Sequence, residues 1–240
     1  MKAQERHHLK QNEFAATTAK VAAALSANRD RVMVILIAVL AIAVVGGGYW
    51  WWQKRTSDQA GAMLGQAMAI TQARIAPAPT LPGATQAAGT YPTEEARDQA
   101  ALQAFQQVAA TYPSTSAGLA ARYHIASSLL SMNKLSEAEQ AFRAISSRGG
   151  SDIYVPMSKM GLASALAGQK KYDEAIKTLT DLAADRDGAL PIDGVLMELA
   201  RTYVRAGKPQ EARAAFKRVV DEFAQSPLAP EARQQLVILG

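Results

Sequence analysis

Two hydrophobic patterns divide the chain of 240 residues. The first is a continuous run: residues 32–52 carry no charge, and 32–45 are apolar at every position. As a helix rising about 1.5 Å per residue, the run reaches about 30 Å, the hydrocarbon thickness of a bilayer. Gly46, Gly47 and Gly48 weaken its last turns, and Tyr49, Trp50, Trp51 and Trp52 then precede Lys54 and Arg55. Aromatic rings followed by cations suit a membrane–water boundary. A buried core helix and a cleaved export signal are the competing readings. An export signal needs a short basic start and small residues at its cleavage site. Here 31 residues precede the run, and four bulky aromatics stand where small residues belong. The pattern predicts an uncleaved transmembrane anchor over 32–52.

The second pattern is periodic. From Glu94 onward apolar positions follow helical spacing with short breaks, and they repeat. The segments "LSEAEQAF" (135–142), "YDEAIKTL" (172–179) and "PQEARAAF" (209–216) place Ala138, Ala175 and Ala212 at intervals of 37, and likewise Phe142, Leu179 and Phe216. One period earlier stand Ala101 and Phe105. An earlier helix is predicted in each full copy, over 116–131, 154–167 and 192–205. Twelve residues before the shared alanine each carries a small residue, Ala126, Ala163 or Ala200. Small side chains at both places let two helices cross closely. The chain thus divides into a basic segment (1–31), the anchor (32–52), a juxtamembrane helix and Pro-rich linker (53–93) and a repeat domain (94–240). Within the first segment, Phe14, Val21 and Leu25 share one face of a helix predicted over 3–28. Met63, Leu64, Ala67 and Ile70 make a stripe on a helix predicted over 57–75. Residues 76–93 hold four prolines and two glycines, which predicts a loop or flexible linker.

Charge sets the orientation. Six cations (Lys2, Arg6, Lys10, Lys20, Arg29, Arg31) precede the run, and only Lys54 and Arg55 lie in the 20 residues after it. That excess predicts an N-terminus inside and the repeat domain outside. Residues 53–240 carry 20 cations and 18 anions, so the net charge of +5 does not describe a nucleic-acid-binding surface. Cysteine is absent, which removes disulfides, thiolate metal sites and Cys nucleophiles. Histidine occurs at 7, 8 and 124. Adjacent His7 and His8 point in different directions on a helix and make a poor metal site. Nothing around His124 has the pattern of a nucleophile elbow, and no glycine-rich phosphate loop follows a strand pattern. His124 reads as a packed helix residue. No enzyme activity, cofactor, metal or small-molecule substrate is expected.

Small at one position, small twelve residues on, aromatic or Leu four later: this pattern resembles the tetratricopeptide repeat. Gly207 occupies that family's turn glycine, with Asn133 and Lys170 in its place in the other copies. The family's first-helix Trp is replaced by Arg122, Lys159 and Leu196, and the period of 37 exceeds the usual 34. The resemblance implies an all-α fold: one transmembrane helix, then an α-solenoid of about three and a half helix pairs. The layout is similar to the ancillary subunit family of the bacterial SecYEG translocon. Those proteins sit in the inner membrane with a periplasmic repeat domain linked to chaperone contacts with newly exported proteins.

In tetratricopeptide proteins first-helix residues line a curved inner face. Carried over, this implies a partner-binding groove of Tyr123, Ser127 and Leu130 in the first full repeat, Met157, Met160 and Ser164 in the second, and Met197, Arg201 and Arg205 in the third. Methionine is flexible and polarizable and suits surfaces that accept many apolar sequences. Arg201 and Arg205, four apart on one helix face, are candidates to hold a carboxylate. The alternative is that these methionines fill the core and the arginines are solvated. The expected function is a membrane-anchored protein–protein interaction module at the outer face of the inner membrane. It would hold polypeptide partners or newly exported clients near the Sec translocon and periplasmic chaperones. The alternative is a scaffold for cell-envelope assembly or division that binds one dedicated partner.

Overall fold

The periodicity is realised as successive helices in the computed structural model, which describes residues 29–77, 85–150 and 152–240. Helix α1 spans Arg29–Thr71, and the two-residue strands β1 (Arg74–Ile75) and β2 (Thr90–Tyr91) follow. Then come α2 (Glu94–Thr111), α3 (Ser116–Ser131), α4 (Leu135–Ser146), α5 (Tyr154–Gly168) and α6 (Tyr172–Ala184). The series ends with α7 (Ile192–Arg205), α8 (Pro209–Glu222) and α9 (Ala229–Ile238). The chain divides into two units, residues 1–55 and 56–240.

In the first unit the described residues belong to α1, and every side chain from Ile37 to Trp52 is exposed. Lys54 and Arg55 turn back over the rings of Trp50 and Trp51, at 5.5 and 5.4 Å from the ring centroids. Among the described residues no helix is long and apolar enough to cross a membrane. The side chains of Val32, Ile35 and Leu36, which belong to the apolar run, lie outside those described. So do the helix predicted over 3–28 and the pair His7–His8.

The second unit begins within α1. Ala67, on the stripe expected there, is buried with Ala101, Phe105 and Val108 of α2 and Ala121 of α3. Helix α1 stops at Thr71, earlier than predicted, because Arg74 and Ile75 extend and pair in parallel with Thr90 and Tyr91. The Gln86 amide reinforces this clasp, donating to the Ala76 carbonyl at 2.9 Å and to Thr90 Oγ1 at 2.7 Å. The two ends of the Pro-rich stretch are therefore tied to each other, a feature its composition did not predict.

The repeat positions do what the period implies. Ala126, Ala138, Ala163, Ala175, Ala200 and Ala212 are all fully buried, and so are Phe105, Phe142, Leu179 and Phe216. The crossing helices are held close by alanines while the larger side chain fills the space between neighbouring pairs. Burial at Phe105 shows that the half repeat, α2, is packed and not detached.

Three turns share one geometry. Asn133, Lys170 and Gly207 have φ of 58°, 64° and 69°, the left-handed region. The amide after each donates back across the helix end: Lys134 to Leu129, Lys171 to Leu166 and Lys208 to Tyr203, all at 2.9 Å. This is the Schellman termination, which satisfies carbonyls the helix leaves open. Helix starts are capped where Thr is available: Thr93 Oγ1 accepts from Ala96 N–H and Thr115 Oγ1 from Gly118 N–H.

Ion pairs stitch adjacent repeats. Glu139 of α4 accepts from Lys171, Arg143 and Gln169, each at 2.8 Å. Lys171 foremost, then Arg143, hold its carboxyl well below the usual range, at about 2. Lys208 reaches Asp173 at 2.9 Å, and Arg186 reaches Glu222 at 3.3 Å.

Candidate functional site

Helices α3, α5 and α7 are the first helices of the three full repeats. Besides its sequence neighbours, α3 touches α5 and α5 touches α7. Contact between alternate helices places these three on the side where the solenoid is tighter, as the groove reading requires.

The carried-over residues divide into three groups. Tyr123, Ser127 and Leu130 of α3 and Met157, Met160 and Ser164 of α5 are half-buried. Tyr123, Leu130 and Met160 rest against the core while part of each stays exposed. Ser164 donates to the Met160 carbonyl of its own helix at 3.2 Å, which turns its hydroxyl inward. Met197 departs from the expectation. It is 1% exposed and belongs to the core, so it lines no open face. The third repeat is followed by α9, whose Ala232 belongs to the same buried cluster and whose Glu231 is held by Arg201 at 2.6 Å. Ser226, just before α9, also donates to Asp193 at the start of α7 at 2.5 Å. Helix α9 begins 37 residues after α7, so the third repeat is followed by a helix at the repeat's own period.

Arg201 and Arg205 are half-exposed and already neutralised. Arg205 lies 2.6 Å from Glu198, and Arg201 lies 2.6 Å from Glu231 and 3.9 Å from Glu198. Their carboxylates are internal, which corrects the reading of an open carboxylate clamp. A cavity of about 350 Å³ remains among Glu198, Arg201, Val204, Arg205, Phe216 and Gln235.

An aromatic cluster stands at the opposite end of the face. Tyr123 meets Phe142 edge-on at 5.9 Å and Tyr154 at 5.4 Å, and His124 stacks on Phe105 at 4.8 Å with planes 13° apart. Offset and edge-on ring pairs of this kind rigidify a surface at low entropic cost. Burial pushes the His124 imidazole below its ordinary value. Burial, then Asp152 and Tyr123, push the Tyr154 phenol up. Tyr154 escaped the sequence reading because it lies at the first residue of α5, ahead of the positions carried over. Among the described residues no group of His, Asp or Glu is gathered to hold a metal. The half-buried rings and apolar side chains suit this face to contact with apolar and aromatic groups.

A family model described as a tetratricopeptide repeat-like domain matches residues 23–237. Two solved structures are similar: nearly identical TPR-like repeats of a kinesin light chain from Podosopora anserina, and a single-substitution variant of the same protein. Identity is 18% to the first and 19% to the variant, and the TM-score is 0.56 for both. The similarity covers 76% of this chain, with 86% of the first structure and 85% of the variant. At that identity the likeness speaks for the fold alone. No curated protein matches the sequence.

Proposed function

The chain belongs to the tetratricopeptide repeat-like domain family, and on that premise we propose that it is a membrane-tethered module that holds polypeptide segments. Proteins of this fold mediate protein–protein contacts as a rule, and the repeats carry no catalytic family signature. One observation carries the reading: Tyr123, Leu130 and Met160 present half-buried apolar surface on first helices that touch one another. Such surface accepts varied apolar side chains, with methionine adapting to each.

The tether is residues 32–52. It is supported by the uncharged run, the aromatic belt and the exposure of every side chain from Ile37 to Trp52. The cation excess before the run supports an inner-membrane topology with the repeats on the outer side. The similarity of layout to the ancillary subunit family supports a place beside the Sec translocon, near newly exported chains and their chaperones.

Photo-crosslinking in intact membranes tests the function. A photoreactive residue at Met160 or Leu130 is expected to capture several unrelated polypeptides. The same group at Lys177, exposed on α6, is expected to capture few. Equal capture at both places would refute the face. Capture of one folded protein alone would replace client holding with a dedicated envelope scaffold.

A further inference from the structure

Between α3 and α4 lies a second concavity, away from the half-buried methionines. Its volume is about 340 Å³, and it is lined by Arg122, Ile125, Ala141, Ala144, Ile145 and Arg148. That is at the lower end of the roughly 300–1,000 Å³ of small-ligand pockets. The floor is aliphatic, with Ile145 fully buried and Ile125 half-buried. The two polar side chains in the lining are both arginines.

Six of the eleven arginines in this unit have a carboxylate partner among the described residues, and these two, like Arg74, Arg213 and Arg233, do not. Arg143, Arg201, Arg205 and Arg218 are each held by a carboxylate within 2.8 Å. Arg122 and Arg148 have no ion-pair partner among the described residues. Burial, then the charge of Arg148, push the Arg122 guanidinium below its ordinary value. Arg148 also lines an adjoining cavity with Asp152, but no ion pair joins the two, and the Asp152 carboxylate is turned to neutral donors. It accepts from Ser116 Oγ at 2.8 Å and from the Tyr154 N–H at 3.0 Å. Two like charges face one aliphatic pocket, so an anion entering there relieves their repulsion and forms charge-assisted hydrogen bonds.

We infer that the Arg122–Arg148 pocket is a second docking site, for a polypeptide segment in which a side-chain carboxylate adjoins an aliphatic residue. The aliphatic side chain fills the space over Ile125 and Ile145, and the carboxylate lies between the guanidinium groups. The inference depends on the proposed function only in taking polypeptide as the ligand. It concerns a different pair of helices.

The test uses the full chain in micelles of an uncharged detergent. The probes are fluorescent peptides with both ends capped, of alternating Glu–Leu, Gln–Leu or Lys–Leu sequence. Binding is read by anisotropy, with melting temperature measured on each variant. The Glu–Leu peptide is expected to bind about tenfold more tightly than the Gln–Leu peptide at low salt. The difference should shrink at about 0.5 M salt. Arg122→Gln with Arg148→Gln should bring the two peptides level without loss of folding. Arg122→Glu with Arg148→Glu should move the preference to Lys–Leu, an outcome that mere structural damage does not produce. Met157→Ala with Met160→Ala should leave the Glu–Leu preference intact. Equal binding of Glu–Leu and Gln–Leu, or a preference unmoved by the arginine changes, overturns the inference. Neither result bears on crosslinking at Met160, so the proposed function stands or falls separately.

Discussion

Gly161 lies against the ring of Phe142, and replacing it with Ala sets two effects in opposition. Inside a helix Ala is favoured over Gly by about 1 kcal/mol, so Gly161→Ala would ordinarily stabilise α5. A methyl at this position, however, would stand 2.4 Å from both Cε1 and Cζ of Phe142 and 2.8 Å from Cε2. Comfortable carbon contacts lie at about 3.5–4.0 Å, so the ring must recede by about 1 Å. Phe142 is 1% exposed and bounded by Tyr123, so it has nowhere to recede. Overpacking of this kind costs about 1–3 kcal/mol. The net expectation is a loss of about 0–2 kcal/mol.

Phe142→Leu removes the ring edge that causes the clash, at its own cost of about 1–2 kcal/mol for poorer filling. In that background Gly161→Ala should become neutral or stabilising by up to about 1 kcal/mol. The two changes should therefore couple by about 2 kcal/mol, in the sense that each relieves the other. Denaturant unfolding of the four proteins, followed by far-ultraviolet circular dichroism, measures this directly. Gly194→Ala serves as control, because nothing lies within 4 Å of its added methyl. Additive losses in the double variant, or stabilisation by Gly161→Ala alone, would refute the packing argument.

Three further outcomes are expected. Lys170→Gly should stabilise by about 0.5–1 kcal/mol, because a left-handed φ of 64° costs a side-chain-bearing residue more than glycine. Gly207→Ala should lose a similar amount, and the same denaturant titration checks both. Ser158→Ala should be stabilising by about 1 kcal/mol, because its hydroxyl is fully buried and has no partner among the described residues. A loss there would reveal an unseen hydrogen bond. Burial holds His124 below its ordinary 6.5, so the unfolded chain takes up that proton first as pH falls. Its contribution is complete above about pH 6.5 and declines as pH drops toward the folded value. His124→Phe should flatten that part of the pH dependence between about pH 8 and 5.5, whereas Glu139 acts only below 4.5. Parallel curves for the two proteins would refute the assignment.

How much of this was legible beforehand depends on how local each feature is. The helix pairs were legible because alanine and a large apolar residue recur every 37 positions, and burial follows that period. The turns were legible in outline from Gly207, while Asn133 and Lys170 concealed the same left-handed geometry. The clasp between β1 and β2 was not legible, since a pair of two-residue strands leaves no periodic trace. Nor was the fate of the third repeat. Met197 occupies the position of Met160 one period on, yet it is buried where Met160 is half-buried, a difference that an identical spacing cannot carry. The charges of Arg201 and Arg205 were visible, but their partners depended on Glu198 lying seven residues before Arg205 and on α9 lying beside α7.

One repeated position shows how a solenoid can vary its chemistry without losing its architecture. Position 124 in α3, 161 in α5 and 198 in α7 are one period apart, and each belongs to the first helix that follows position 105, 142 or 179. In the first slot His124 stacks flat on Phe105. In the second, Gly161 lets Phe142 approach the backbone itself. In the third, a Leu179 takes the ring's place, and Glu198 instead gathers Arg201 and Arg205. The partner at this position thus differs in kind from slot to slot: a stacked ring on Phe105, bare backbone against Phe142, and a carboxylate with its own arginines in the third. It follows that a substitution acceptable in one repeat is not transferable to the next. Gly161→His would copy the first slot into the second, yet the imidazole would need the space that the Phe142 ring already fills. Each slot is therefore packed on its own terms, with rings and methionines half-buried on α3 and α5 and ion pairs gathered on α7.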